Sequence, residues 1–207
     1  MMDSDSPRDL SRSRVLLELL ESVERDGSGS QRERAVEFGV ALGLVNAYLN
    51  YCIKKGLIRV KKIPARRYAY YLTPKGFTEK SRLAVTLVSN SFHSFRLARN
   101  QYTEAFQKFQ ERGIRRVILV GLSELAEVAV LSVADSEVTV AGIIDPTASV
   151  NRYLNLPVYS DWKDVSCGYD GAIITDLIDP SAGLAAAIAI LGENHVLAPP
   201  ILGMTGE

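Results

Sequence analysis

Leu57-Ile58-Arg59-Val60-Lys61-Lys62-Ile63-Pro64-Ala65-Arg66-Arg67-Tyr68-Ala69-Tyr70-Tyr71-Leu72-Thr73-Pro74-Lys75-Gly76 decides how the first third of the chain folds. Branched and aromatic residues on both sides of a Pro64–Arg67 turn predict a two-stranded hairpin, closed by Leu72-Thr73-Pro74-Lys75-Gly76. Immediately upstream, Leu42, Val45, Leu49 and Ile53 recur at spacings of 3, 4 and 4, the buried stripe of a helix over 42–55 that Gly56 stops. The opposite face of that helix displays Asn46, Ala47, Asn50 and Lys54. Further back, Ser30 followed by Glu33 fits a capping box for a short helix ending near Phe38 and Gly39. Asp26-Gly27-Ser28-Gly29 reads as a flexible break. Before it, Val15, Leu16, Leu19, Leu20 and Val23 stripe a first helix over about 11–25. Residues 1–10 are polar and read as disordered.

The net charge of zero hides an asymmetry. Residues 1–112 hold 20 Lys/Arg against 12 Asp/Glu, whereas 113–207 hold 4 against 12. The basic excess is densest in 51–82, with ten Lys/Arg and the single acid Glu79. A cationic hairpin beside an asparagine-bearing helix is chemistry suited to duplex DNA. Asn46 and Asn50 can pair with adenine edges, and Lys61, Lys62, Arg66 and Arg67 can contact phosphates. The alternative is a pair of solvated faces of opposite sign.

Residues 31–82 resemble a winged helix-turn-helix of the MarR-like type, in particular the branch associated with exopolysaccharide gene regulation. The resemblance is carried by Leu42-Gly43-Leu44-Val45-Asn46 with Leu49, by Lys55-Gly56-Leu57-Ile58, and by Tyr70-Tyr71-Leu72-Thr73-Pro74-Lys75-Gly76 followed by Glu79-Lys80. It implies a DNA-binding domain over 11–78 with Leu44, Asn46, Ala47, Asn50, Lys54, Lys61, Lys62, Arg66 and Arg67 facing double-stranded DNA, and polysaccharide genes as targets.

Residues 79–112 contain neither Pro nor Gly, which predicts a connecting helix of roughly 50 Å. Val85, Val88, Phe92, Phe95, Arg99, Tyr102, Phe106 and Phe109 alternate at spacings of 3 and 4, a heptad seam with one polar interruption. A second copy paired through 85–109 is the simplest cover for it. Packing on the chain's own domains is the alternative. His93 reads as a polar flank of this seam.

From 114 to 207 the pattern alternates strand and helix. Arg116 to Val120 is a buried strand ending at Gly121, Ser123 to Ala134 a helix, and Val138 to Ile144 a strand ending at Asp145. Leu156 to Tyr159, Gly171 to Asp176, a helix over 181–191 and a last strand from Asn194 to Ala198 complete a doubly wound, Rossmann-like parallel sheet. Of the GxGxxG fingerprint only the first glycine remains, in Gly121-Leu122-Ser123-Glu124-Leu125-Ala126. Gly121, Ser123, Glu124, Asp145, Thr175 and Asp176 are the candidate ligand residues, with Asp145 placed to accept from ribose hydroxyls. Ser123 disfavours a dinucleotide pyrophosphate because it has a side chain where the motif wants none, and Glu124 because its charge repels phosphate. Segment 115–200 is similar to the nucleotide-binding part of sugar-nucleotide-modifying enzymes and glucose–fructose oxidoreductase-like dehydrogenases, on Gly142-Ile143-Ile144-Asp145, Leu156-Pro157-Val158-Tyr159 and Tyr169-Asp170-Gly171-Ala172-Ile173-Ile174. The resemblance implies a nucleotide, nucleotide-sugar or NAD as ligand. The order of domains also resembles NADH-binding redox-sensing repressors.

No nucleophile, triad, P-loop or HExxH pattern stands out. Tyr51 and Lys55 have YxxxK spacing but lie inside the predicted DNA-reading helix pair, and His195 lacks a Ser or Cys partner. No Cys/His cluster proposes a metal, and Cys52 and Cys167 do not suggest a disulfide framework. The expectation is a non-enzymatic, cytoplasmic, dimeric, ligand-responsive transcription regulator. A partner-recruiting DNA-binding scaffold and a small nucleotide-sugar enzyme are the alternatives.

Overall fold

The computed structural model describes residues 7–63, 67–166 and 168–204, with only the backbone given at positions 7–9, 63, 67 and 135. The chain divides into two compact units, 1–92 and 93–207. The expected turn at 64–67 falls mainly outside the described residues.

In the first unit, three helices precede an antiparallel strand pair. Helix α1 covers Pro7–Arg25, α2 Gln31–Glu37 and α3 Leu42–Lys54; strand β1 is Ile58–Ile63 and β2 Arg67–Leu72. Their shared core is Leu16, Leu19, Leu20 and Val23 from α1, Val45, Leu49 and Cys52 from α3, and Leu57, Ile58 and Tyr70 around the hairpin. Leu16, Leu19, Leu20, Val23, Val45 and Leu49 belong to the apolar stripes read from the sequence, whereas Leu42, assigned to the buried stripe of α3, is exposed at the first position of the helix and Ile53 is only partly buried. The capping box forms in both directions: Glu33 N–H donates to Ser30 Oγ (3.1 Å) and Ser30 N–H to Glu33 Oε2 (2.8 Å). Burial pushes the Cys52 thiol up to about 12, as befits a small core residue.

The segment at 26–29, read from sequence as a break, is tied to α2 and β2 by hydrogen bonds. Arg34 is fully buried and its guanidinium donates to Ser22 Oγ (3.0 Å), Gly29 O (2.6 Å) and Asp26 O (2.6 Å). Tyr70 N–H in β2 donates to Gly27 O (2.8 Å). A Cβ at Gly27 would stand 2.1 Å from the Tyr70 carbonyl oxygen, so this close approach requires glycine.

Helix α4 covers Pro74–Glu111, and the unit boundary falls inside it. It begins five residues before the predicted start, because Thr73-Pro74-Lys75-Gly76 initiates the helix instead of preceding it. Thr73 N–H donates to Leu57 O (3.0 Å), its hydroxyl to Gly56 O (2.7 Å), and the same hydroxyl accepts from Gly76 N–H (3.0 Å). Lys75 Nζ donates to the Lys55 carbonyl at the end of α3 (3.0 Å). Proline suits the first helical turn, and a Cβ on Gly76 would meet Leu57 O at 2.1 Å. The Leu-Thr-Pro-Lys-Gly signature is therefore a lock between α3, β1 and α4.

The second unit is a six-stranded mixed sheet with helices. Strand β3 is Arg116–Val120, β4 Thr139–Ile144, β5 Arg152–Tyr153, β6 Leu156–Tyr159, β7 Gly171–Ile174 and β8 Val196–Leu197; helix α5 is Glu124–Ser132 and α6 Pro180–Leu191. The order is β5-β6-β4-β3-β7-β8, parallel throughout except for β5, a two-residue edge strand too short for any periodicity to signal. Burial on both faces explains the continuous apolar runs. Val117, Leu119, Ile143 and Ile173 face one core with α5 and the end of α4, whereas Ile118, Val120, Ile144, Ala172 and Ile174 face a second core with Ala187 of α6.

The heptad seam divides. Tyr102, Phe106 and Phe109 are fully buried in the core of their own unit, and the Tyr102 hydroxyl donates to Ile174 O (2.9 Å). Each such aromatic contributes ~1.5–3 kcal/mol of burial, so this half stays covered. A dimer seam over 85–109 is corrected accordingly: positions 102–109 are internal packing. Val85, Val88, Phe92 and Phe95 remain exposed. No described helix is long and apolar enough by itself to cross a membrane.

Candidate functional site

In the first unit, helix α3 orients its side chains by its own periodicity. Val45, Leu49 and Cys52 anchor it in the core, which leaves Leu44, Asn46, Ala47, Asn50 and Lys54 exposed. Asn50 Nδ2 donates to Asn46 Oδ1 at 3.1 Å, so the two amides stand together, one turn apart. Helices α2 and α3 meet with a bend of 113°. On the hairpin, Arg59, Lys61 and Lys62 are exposed. Register pairs Lys61 with Ala69 and Lys62 with Tyr68, which places successive lysines on opposite faces of the ribbon. Arg66 lies outside the described residues, and for Arg67 only its backbone pairing with Ile63 is described. Tyr51 and Lys55 make a cation–ring contact at 5.8 Å that Arg12 shares at 5.8 Å, a structural use of the YxxxK spacing.

In the second unit, a pocket of about 520 Å³ opens at the carboxyl ends of β3, β4 and β7. This is where strand order reverses in an open α/β sheet and crevices form. Gly121, Ser123, Glu124, Asp145 and Asp176 all line it, five of the six residues proposed from sequence. Thr175 does not. It is fully buried, and its hydroxyl is used by the backbone at the end of β3, with Val120 O at 3.1 Å and Gly121 O as its other partner.

Each lining group has a local role. Gly121 adopts φ +102°, and a Cβ there would lie 2.5 Å from Asp176 Cα. The surviving glycine is thus explained by the approach of two strand ends, without a pyrophosphate. Ser123 caps α5, its hydroxyl accepting from Leu125 N–H (3.1 Å) and donating to Thr175 O. Asp145 Oδ2 accepts from Leu122 N–H (2.9 Å), and Oδ1 from Thr147 N–H (2.8 Å) and the Thr147 hydroxyl (2.7 Å). Burial alone would raise the Asp145 pKa, but the hydrogen bonds from Leu122, Thr147 and Ala148 outweigh it and hold the carboxyl below its ordinary value. Asp176 Oδ1 accepts from Ile178 N–H (2.7 Å) and Asp179 N–H (3.3 Å), and Asp179 caps α6 through Ala182 N–H (3.0 Å).

Sequence reasoning missed Thr147, Trp162, Ile178 and Asp179, which line the same pocket. Asp179-Pro180 carried a signal, an N-cap followed by proline at the first helical position. Trp162 carried none, since it arrives through a 3-10 turn on a connection. His195 Nδ1 donates to Asp170 O (2.7 Å), a structural bond. Among the described residues no group of three His, Cys, Asp or Glu could hold a metal ion.

No family model and no curated protein matches the chain. Among solved structures it is similar to a protein of unknown function from Listeria innocua Clip11262, at 25% identity over 39% of this chain and a TM-score of 0.33. The match spans 61% of that protein, under two thirds of its length. The chain is also similar to an O-methyltransferase from neocarzinostatin biosynthesis in complex with S-adenosyl-L-homocysteine, at 14% identity, TM-score 0.40, over 93% of this chain and 84% of that one. The expectation that the chain is no enzyme is corrected by this finding: a structure to which it is similar over most of its length is an enzyme. What the sequence and structure together establish is an α/β chain in which a three-helix and hairpin unit is followed in sequence by a mixed, mainly parallel sheet.

Proposed function

We propose that the chain is a ligand-responsive, DNA-binding transcription regulator that works as a dimer, with polysaccharide-related genes among its targets. The first unit is read as a winged helix-turn-helix. Helix α3 enters the major groove with Asn46 and Asn50 toward adenine edges, and the hairpin grips the backbone through Lys61, Lys62, Arg66 and Arg67. One observation carries this reading: Leu44, Asn46, Ala47, Asn50 and Lys54 are all exposed on the helix next to an exposed cationic hairpin. The 113° bend between α2 and α3 suits the motif. The wild-type chain, titrated with duplex at increasing salt, is expected to lose affinity with a log–log slope of about −4 or steeper. A slope near zero would remove the DNA-binding reading.

The second copy covers the exposed part of α4. Residues 83–95 contain no Lys, Arg, Asp or Glu, yet Val85, Val88 and Phe92 are 67%, 54% and 59% exposed. A helical surface kept in water normally carries charge, and this one carries an a/d stripe instead. Light scattering is expected to return twice the 22.7 kDa chain mass, and Phe92→Glu to return the single mass by burying charge in the seam. A wild type that scatters as a monomer removes the dimer. Ligand binding in the second unit then shifts the pair between DNA-competent and incompetent arrangements.

A further inference from the structure

Four carboxylates line the pocket of the second unit, Glu124, Asp145, Asp176 and Asp179, and among the described residues no Lys or Arg does. Phosphate sites have the opposite construction, with unoccupied loop and helix N–H groups converging on an anion. Here five of the loop and helix amides already serve the protein's own acids. Leu122 and Thr147 N–H donate to Asp145, Ile178 and Asp179 N–H to Asp176, and Ala182 N–H to Asp179. A phosphate entering the pocket would meet the repulsion of four carboxylates. A hydroxyl or an ammonium would meet acceptors, because Asp176 Oδ2 takes no hydrogen bond among the described residues. The remaining lining is mostly apolar and includes the indole of Trp162, a surface for a flat ring.

We infer that this pocket binds a nucleoside without a phosphate, neutral or positively charged at its 5′ position. The ribose hydroxyls donate to the carboxylates, the base lies against the apolar wall, and a 5′ cation gains from the acidic rim. The inference rests on the reading of the second unit as the ligand-sensing part, and it replaces the nucleotide, nucleotide-sugar or NAD expected from sequence.

Trp162 is the only tryptophan in the chain, so its fluorescence reports on the pocket. The full chain, without DNA, is titrated with adenosine, 5′-amino-5′-deoxyadenosine and 5′-AMP, and with the corresponding uridine series. In at least one series the amino compound is expected to bind as tightly as the parent nucleoside or tighter, and the monophosphate about tenfold or more weaker. Asp176→Asn with Asp179→Asn keeps an Oδ1 acceptor at both turns while removing two charges, and asparagine caps helices as well as aspartate. That variant is expected to melt with the wild type and to bring the amino and phosphate compounds closer in affinity. The inference is overturned if the monophosphate binds as tightly as the parent, if no compound changes Trp162 emission, or if the variant leaves the preference unchanged. Because the assay contains no DNA, a chain that grips duplex but ignores every nucleoside loses only this inference.

Discussion

Replacing Lys61, Lys62, Arg66 and Arg67 together by alanine is expected to lower affinity for any duplex by about a thousandfold near 0.15 M salt. Each cation that neutralises a phosphate releases close to one condensed counterion. Four of them therefore account for a log–log salt slope of roughly 3.6, which the variant should lose. The loss should be the same for every sequence, since phosphate contacts position a protein without reading bases. Asn46→Ala provides the contrast. It removes an amide that Asn50 holds at 3.1 Å, and it should narrow the difference between preferred and random duplexes while leaving the slope in place. Fluorescence anisotropy at several salt concentrations reads both quantities. If the quadruple variant binds as the wild type does, the hairpin is not the gripping element.

Arg34→Met is expected to cost ~2–4 kcal/mol, because one buried hydroxyl and two partly buried carbonyls lose their donor at once. The side chain is 1% exposed. Its guanidinium serves Ser22 Oγ, Gly29 O and Asp26 O and lies 5.5 Å from the centre of the Tyr70 ring. Burial lowers its pKa from the ordinary value, opposed chiefly by the charge of Asp26, yet an arginine stays protonated throughout. Methionine fills much of the space and supplies no donor. The 26–29 turn would then lose its tie to α2, and with it the Gly27 carbonyl that receives Tyr70 N–H. A urea titration followed by helix content measures the change. A loss under about 1 kcal/mol would show that water replaces the guanidinium.

The helices, the hairpin and the strand series were legible because each buries one period: 3 and 4 along α3, continuous runs in β3 and β7. The candidate DNA-facing residues were legible for the same reason, since a residue opposite Val45 and Leu49 on a helix must face away from their core. Arg34 was not legible. It reads as one charge among several in Gln31-Arg32-Glu33-Arg34, and only the return of β2 over the 26–29 turn encloses it. Thr175 misled for a related reason: being next to a strand end in sequence does not say whether a hydroxyl faces the crevice or the neighbouring backbone.

The seam on α4 marks where sequence stops and tertiary structure begins. Periodicity alone determined that Val85 through Phe109 share one face, because residues three and four apart on a helix must stack. What covers that face is set by distant elements. The α/β sheet and α5 enclose Tyr102, Phe106 and Phe109, while nothing among the described residues encloses Val88 or Phe92. The pocket divides in the same way. The sequence determined that acids follow β4 and β7, whereas only the folded loops decided that backbone N–H groups would consume Asp145 and one oxygen of Asp176. Local pattern specifies which side of an element is apolar; long-range packing alone specifies which polar groups are left over for a ligand.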